Sequence, residues 1–551
     1  MKRSRSLLSM LLVLLILSMS LAGCGSPAGN TINTPQPTPS SSSPSTSEPP
    51  AAIEDDKFKD TVEISIATWD IENDISFQED DAVFQAIAQK LNITVKPINL
   101  TWDDYGQKIQ LWAASDQLPD IFSIDAIGTQ YYTNWKNQQV IKALPKDLSN
   151  YPNLQEYMNS PDIIGLQEDG QYYCVPRKTY PSLQYNSLDR LVEYRWDLAQ
   201  QAGITKEPET WDEFKAMLKA IVDKDPEGKK ITGLTAVNIK QIGGFFWLYS
   251  NALATSDGSG TDYKWIKEDG KYIPAVFSQN ALPSLKNMRE MYDMNIIDKG
   301  LALTKGNEGY DKFIGGQAAA VLHGGGFTTS AKQLYIERWQ KVYPDKNYTD
   351  HVKTLKPLKD VNGVASHPIF KTYWSESYFN YKLDDKKFDR ILNVYDYLVS
   401  EEGREYLRWG IEGVDYKKEG DKYTIIDDSA SIIEKYKSIG VFKCLAEWDE
   451  GFAYDMNSGI IDKALRSTAV EYIDWVKKNT TLPDFDLRLT YMSTPAKDKF
   501  VVLDHDDLLA VMLSKEPVET AWAEIVNAYK EKGLDDVISE VNAKAKELGI
   551  N

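Results

Sequence analysis

Thr61-Val62-Glu63-Ile64-Ser65-Ile66-Ala67-Thr68 places apolar residues at every second position, the period of a half-buried strand. Asp81 to Leu91 then carries Val83, Phe84, Ile87, Ala88 and Leu91 at helical spacing. Ile93 to Ile98 reads as a second strand, and Asp103 to Ser115 as a second helix with Ile109, Leu111 and Trp112. Ile121 to Ile124 is a third strand, introduced by Leu118-Pro119-Asp120. This β-α-β-α-β order predicts an α/β fold with a parallel sheet and right-handed crossovers. Ligands of such sheets bind beyond the carboxyl ends of the strands.

Those ends carry aromatic and acidic residues in pairs. Trp69-Asp70 follows the first strand, Trp102-Asp103 the second and Asp125 the third, with Tyr131, Tyr132 and Trp135 just beyond. A single Trp is most simply core. A ring beside a carboxylate at successive strand ends points instead to a ligand platform. Rings stack on the apolar faces of sugars, and carboxylates accept hydroxyl hydrogen bonds.

Upstream of this block lies an export signal. Lys2, Arg3 and Arg5 form a basic start, and Leu7 to Ala22 is an apolar run too short to span a bilayer. It ends in Leu21-Ala22-Gly23-Cys24, which resembles a bacterial lipobox, where the Cys thiol takes a diacylglycerol and becomes the new N-terminus. Gly25 to Pro50 then holds seven Pro, seven Ser and four Thr, a composition with too little apolar surface to fold. The reading is a signal peptide over 1–23 and a lipid-anchored tether over 24–57.

The bulk properties exclude several functions. The 551 residues exceed one ordinary domain. A net charge of −19 leaves no cation excess for nucleic-acid phosphates, so no nucleic-acid partner is expected. Three Cys make no disulfide scaffold, and Cys174 and Cys444 read as free thiols. Four His argue against a His-rich metal enzyme.

Further along, Thr210 with Glu213 forms a capping box ahead of Phe214, Met217, Leu218 and Ile221. Val518, Trp522, Ile525, Val526 and Tyr529 line a late helix, and Leu534 to Leu548 reads as the last one.

Several blocks resemble, in order, the family-one extracellular solute-binding proteins of bacterial ABC importers, especially the long oligosaccharide-type lipoproteins. They are Ala114-Ser115-Asp116-Gln117-Leu118-Pro119-Asp120-Ile121, then Arg195-Trp196-Asp197 through Ala202-Gly203-Ile204 with Pro208 to Phe214. Phe313-Ile314-Gly315-Gly316-Gln317-Ala318-Ala319-Ala320 and Trp409 to Tyr416 complete the set. The resemblance implies a two-lobe, type II periplasmic-binding-protein-like fold with a hinge and an interlobe cleft. It implies crossings near Tyr180 to Ser187, Tyr373 to Tyr381 and residue 430. The lobes are then 58–183 plus 373–430, and 184–372 plus 431–551. Cleft residues implied are Trp69, Asp70, Trp102 and Asp125, joined by Trp247 after Gly243-Gly244, Phe327 after His323-Gly324-Gly325-Gly326, and Trp374 and Tyr378 at the second crossing. The same resemblance implies a small-molecule ligand of oligosaccharide type, ABC permease subunits as partners, a monomer, and the outer face of the cell membrane as location, held by lipid on Cys24.

The family's long members carry a calcium loop; here Asp223-Lys224-Asp225-Pro226-Glu227-Gly228-Lys229-Lys230-Ile231 is short and ends on an apolar residue, and reads as a plain turn. No cofactor or metal is expected. His323-Gly324-Gly325-Gly326 resembles an esterase oxyanion motif, but the mature chain has no G-x-S-x-G nucleophile elbow. A phosphate loop and an H-E-x-x-H zinc motif are also missing. Asp504-His505-Asp506-Asp507 reads as a solvated turn. The chain is therefore expected not to be an enzyme. The rival readings are a lipid-anchored glycan-active hydrolase and a peptide-binding receptor.

Overall fold

The computed structural model describes residues 58–551 apart from 70, 72–78, 102–103, 161–162, 169, 250–262, 328–330, 368–370, 428–429, 431, 449–462, 483 and 551. Cys24 and the tether fall outside the described residues. So do Asp70, Trp102 and the side chain of Trp247. Among the described residues no helix is long and apolar enough to cross a membrane.

The opening block forms where its periodicity requires. Strand β1 is Val62–Trp69, helix α1 Ala82–Leu91, β2 Ile93–Leu100, α2 Tyr105–Ser115 and β3 Ile121–Ile124. Asp81 caps α1 by accepting the Phe84 N–H at 2.8 Å. Its other oxygen accepts the N–H of Ser438 at 2.9 Å. Asp120, from the Leu-Pro-Asp segment, accepts both the N–H and the hydroxyl of Ser65 at 2.7 Å. That motif therefore ties β3 to β1.

Besides two small hairpins, Trp265–Glu268 with Lys271–Pro274 and Tyr416–Glu419 with Lys422–Ile425, the further strands are β4 (Val175–Lys178), β5 (Val192–Arg195), β6 (Thr232–Ala236), β7 (Ala318–Leu322), β8 (Val352–Thr354) and β9 (Tyr373–Phe379). They make two main sheets. The first has the order β2-β1-β3-β9-β4, with β1 parallel to β2 and β3 and with β9 antiparallel to both β3 and β4. The second is β8-β5-β7-β6, with only β6 and β7 parallel. Helix α3 (Trp211–Lys224) packs on β6 and β7, and helix α4 (Ala281–Asp293) shares the same core. The capping box at Thr210 and Glu213 is present, with both reciprocal bonds at 3.2 Å.

Each sheet has its own core. Ile64, Ile66, Val83, Phe84, Phe122 and Tyr395 belong to the first, and Phe214, Leu218, Leu234, Phe245 and Met288 to the second. Two cores mean two lobes. The chain leaves the first sheet after Lys178 and enters the second at Val192; it returns between Thr354 and Tyr373. The third crossing differs from the expected one near 430. Helix α5 (Ser438–Leu445) still packs in the first core through Ile439, Val441, Phe442 and Leu445. Asp81 holds its first N–H there, so the first lobe extends at least to Ala446.

Asp225 ends α3 in the left-handed region, and its carboxylate accepts the N–H groups of Lys229 and Lys230 at 3.0 and 2.9 Å. The segment is a closed turn that uses this carboxylate internally.

Candidate functional site

The carboxyl edge of the first sheet gathers residues distant in sequence. Because β1 and β3 are parallel and β9 runs against them, the ends of β1 and β3 meet the start of β9. Trp69 closes β1 and Trp374 is the second residue of β9, and their ring centroids are 5.2 Å apart at 31°. Tyr105 sits edge-on to Trp69 at 5.3 Å. Trp69 is 4% exposed, whereas Trp374 is partly open to solvent.

A buried cation organises the rings. The guanidinium of Arg177, on β4, lies 4.9 Å from the Trp374 ring, 5.5 Å from Trp448 and 5.9 Å from Trp69. Its Nε donates to the Trp374 carbonyl at 3.0 Å. Arg is suited to this because its planar group stacks on aromatic faces. The sequence offered no signal for Arg177 or Trp448 beyond their residue types.

A bulge aims Trp374. The β9–β4 register shifts between Tyr373 and Glu376, and Ser375, fully buried, has φ of 63°. An extra residue in a strand re-aims its neighbours, and a non-glycine residue at positive φ is strained. The Ser375 hydroxyl has no hydrogen-bond partner among the described residues.

Beside the rings lies a charged group. Asp125, following β3, pairs with Lys371, whose Nζ is also 3.5 Å from Glu376. Glu376 is completely buried and accepts the Ala126 N–H at 3.0 Å and the Tyr378 hydroxyl at 2.9 Å. Lys371 thus joins Asp125, at the rim, to a buried carboxylate.

Two expected cleft residues are core instead. Tyr378 shares a strand face with Glu376 and is wholly buried against Phe122, Trp135 and Tyr132. Burial, reinforced by the Glu376 charge, pushes its phenol well above the ordinary range. Phe327 is 4% exposed and packs in an apolar cluster with Val321 and Leu334. Trp247 ends the helix Ile242–Trp247, whose Phe245 and Phe246 are core.

In the second lobe, the residue opening the His-Gly-Gly-Gly run is not poised for catalysis. His323 is fully buried, and burial pulls its pKa down to about 3, so its ring stays neutral. Its Nδ1 lies 3.3 Å from the Tyr310 hydroxyl, and its Nε2 is 4.0 Å from Glu193. Burial pushes Glu193 up to about 7, opposed by a 2.8 Å hydrogen bond from Thr354.

A roomier groove of about 970 Å³ lies against the crossing segment Lys178 to Pro181, between Tyr157, Arg404 and Trp409. Trp409 is stacked face to face on Tyr423 at 4.6 Å, and Arg404 is bound to Glu447 at 2.6 Å. Trp409 is itself buried, whereas Trp374, although it meets Trp69 and Arg177, keeps part of its surface open to solvent. Trp374, Trp69, Arg177 and the Asp125–Lys371 pair can together stack a ring and bond its hydroxyls.

Known proteins share the family and the fold. The family described as bacterial extracellular solute-binding protein matches residues 75–374. The polygalacturonan/rhamnogalacturonan-binding protein YtcQ of Bacillus subtilis (strain 168) is 24% identical over 354 residues, covering 61% of this chain and 64% of its own. The chain thus spans just under two thirds of that relative. The lipoprotein LipO of the same organism is 20% identical over 466 residues, covering 82% and 86%. Among solved structures, the alginate-binding protein AlgQ2 has a TM-score of 0.65 at 17% identity, over 88% of this chain and 98% of its own. The S. pneumoniae ABC-transporter substrate-binding protein FusA, in complex with kestose, has 0.61 at 14%, over 89% and 99%. The likeness to AlgQ2 and FusA is one of fold: two α/β lobes of the type II periplasmic-binding kind.

Proposed function

The chain belongs to the bacterial extracellular solute-binding protein family, and from that premise we propose that it is a lipid-anchored receptor on the outer face of the cell membrane. It captures an oligosaccharide and passes it to the permease subunits of an ABC importer, without chemistry on the ligand. The observation that carries the ligand class is the partly exposed Trp374 ring beside Trp69, backed by Arg177, with the Asp125–Lys371 pair on the same sheet edge. This combination offers an apolar face for stacking and polar groups for ring hydroxyls. The polygalacturonan/rhamnogalacturonan-, alginate- and kestose-binding relatives support the same class. The lipobox at Cys24 and the lipoprotein relative support the anchor.

The test is thermal melting of the purified chain with galacturonan, alginate and fructan oligosaccharides, with peptides of mixed sequence as contrast. One saccharide class is expected to stabilise it, by about 2.7 kcal/mol at a hundred times its Kd. Stabilisation by peptides alone overturns the ligand class. Release of reducing ends from any glycan in the panel overturns the non-catalytic reading.

A further inference from the structure

We propose that the captured saccharide is acidic, and that Arg177 selects it by pairing with a carboxylate on a sugar ring. The choice of a saccharide rests on the receptor reading above; the unpaired charge of Arg177 does not. Arg177, on β4, is 6% exposed. Its Nε is spent on the Trp374 carbonyl at 3.0 Å, and its Nη1 meets the Cys444 sulfur at 3.6 Å. Among the described residues Nη2 has no hydrogen-bond partner, and no carboxylate pairs with the guanidinium. In the same lobe Asp125 and Glu376 both face Lys371, and Glu447, next to Trp448, is bound to Arg404 at 2.6 Å.

Two other buried arginines show how such a charge is ordinarily accommodated. Arg195 is fully buried and donates to both oxygens of Asp197, each at 2.8 Å. Arg390 is 4% exposed and gives its Nη1 to the carbonyls of Asp60, Leu91 and Asn92, at 3.2, 2.7 and 2.8 Å. A buried charge is destabilising unless it is paired and hydrogen-bonded. Around Arg177 the rings of Trp69, Trp374 and Trp448 offset part of that cost through their faces. They leave one N–H of Nη1 and both of Nη2 unused.

The unused donor is within reach of a ligand. Nη1 of Arg195 is closed to solvent, but Nη2 of Arg177 is not. Of the three rings around it, Trp69 is buried while Trp374 and Trp448 are partly open, so solvent meets the guanidinium along these two. The guanidinium carbon is 4.9 Å from the Trp374 ring centroid, so a sugar stacked on that ring brings its substituents alongside Nη2. A neutral sugar offers hydroxyls but no counter-charge, and leaves Arg177 uncompensated. A carboxylate supplies both, and its two oxygens match the end-on fork of Nη1 and Nη2. In a uronic acid that carboxylate is attached directly to the pyranose ring, at the edge of the stacking face.

The experiment is calorimetric titration of the full chain with tetragalacturonate and tetramannuronate, each beside its methyl ester, and with neutral kestose. One acid is expected to bind roughly ten- to a hundredfold tighter than its ester, the worth of a hydrogen bond to a charged group. Arg177→Met keeps an unbranched stem among the rings and is expected to bring that ratio close to one. Its melting temperature is expected to hold or rise, because an unpaired buried charge is gone. Arg177→Lys keeps the charge without the fork and is expected to fall between. Equal binding of acid and ester by the parent overturns the proposal, as does a ratio that Arg177→Met retains. A lower melting temperature in Arg177→Met with acid and ester weakened alike also overturns it, since Arg177 would then serve packing alone. Tighter binding of a sulfated galactan tetramer than of either uronate overturns the carboxylate class. Binding of kestose alone overturns the acidic class and leaves the receptor reading standing, whereas binding of no saccharide overturns both.

Discussion

Lys178 and Glu447 face each other across an isolated parallel bridge that joins the first and third crossings between the lobes. The N–H of Lys178 donates to the Ala446 carbonyl at 3.0 Å, and the N–H of Trp448 donates to Lys178 at 2.8 Å. On the other side, Thr179 and Tyr180 both donate to the Thr372 carbonyl, at 2.8 and 2.9 Å. The three crossings are therefore stitched into one strip, and a hinge built this way bends as a unit. Small-angle scattering is expected to give a smaller radius of gyration with the most stabilising saccharide of the screen than without it. An unchanged profile counts against closure on the ligand.

The two meeting tryptophans should separate in their effects. Trp374 is partly open, so Trp374→Ala is expected to weaken saccharide binding by about 1–3 kcal/mol, by analogy with base stacking. That is roughly a 5- to 150-fold loss. Trp69 is 4% exposed, so Trp69→Ala is expected to cost about 3–5 kcal/mol of stability as well. Calorimetric titration beside urea unfolding checks both. Equal stability losses at the two positions would show that Trp374 is core.

Ser375 holds a conformation that glycine adopts freely. Ser375→Gly is expected to keep or raise stability by up to about 1 kcal/mol, since the strain relieved exceeds the entropy added to the unfolded chain. Ser375→Val is expected to lose about 1–3 kcal/mol, because a branched side chain fits this region worst. It should also weaken saccharide binding by turning Trp374. A Val variant as stable as the parent would remove the bulge from the account of the site.

Glu193 and His323 give stability a pH profile with two shoulders. Glu193 titrates near 7 when folded against an ordinary 4.5, so the folded state holds the extra proton between these values. Stability then falls as pH rises through that window, by on the order of 3 kcal/mol. His323 titrates near 3 when folded against 6.5, so the unfolded state holds the extra proton, and stability falls as pH drops through that window. The slopes oppose each other between about 4.5 and 6.5, leaving a plateau there. Melting curves at constant ionic strength should show Glu193→Gln losing the neutral-side decline and keeping the acid-side one. A variant with the parent's profile at both ends would show that Glu193 ionises normally.

Anchoring is tested at Cys24. Cys24→Ser is expected to leave the body folded and release it from the membrane. Retention after a high-salt wash would rule out the lipid.

Much of the fold was legible because its signals are local. The alternation in Thr61 to Thr68 and the stripe Val83, Phe84, Ile87, Leu91 are set by neighbours in sequence, and the Thr210–Glu213 box is a pair three residues apart. The site was legible only in part, because its geometry depends on long-range pairing. Trp69 could be named from a strand end, and Trp374 from the second crossing that the family resemblance implies. The Arg177 beneath them could not, since it becomes adjacent only when β4 pairs with β9. Tyr378 was misjudged for a related reason. The bulge at Ser375 changes which face each β9 residue occupies, and a sequence written as a line carries no mark of it. The third crossing was placed too early because Ser438 to Leu445 is simply an apolar helix until Asp81 is seen to receive its first N–H.

The position of β9 also sets a timetable for synthesis. It lies between β3 and β4 in the first sheet, yet its residues, 373–379, follow the entire central part of the second lobe. Until they are made, β3 has an open edge with no neighbour on that side. At about 5–20 residues per second, the interval from Ile124 to Phe379 lasts roughly 10–50 s. Over that time the nascent chain carries an unpaired edge, the feature most prone to pair with other chains. The first lobe, whose strands emerge earliest, is therefore among the last parts to be completed.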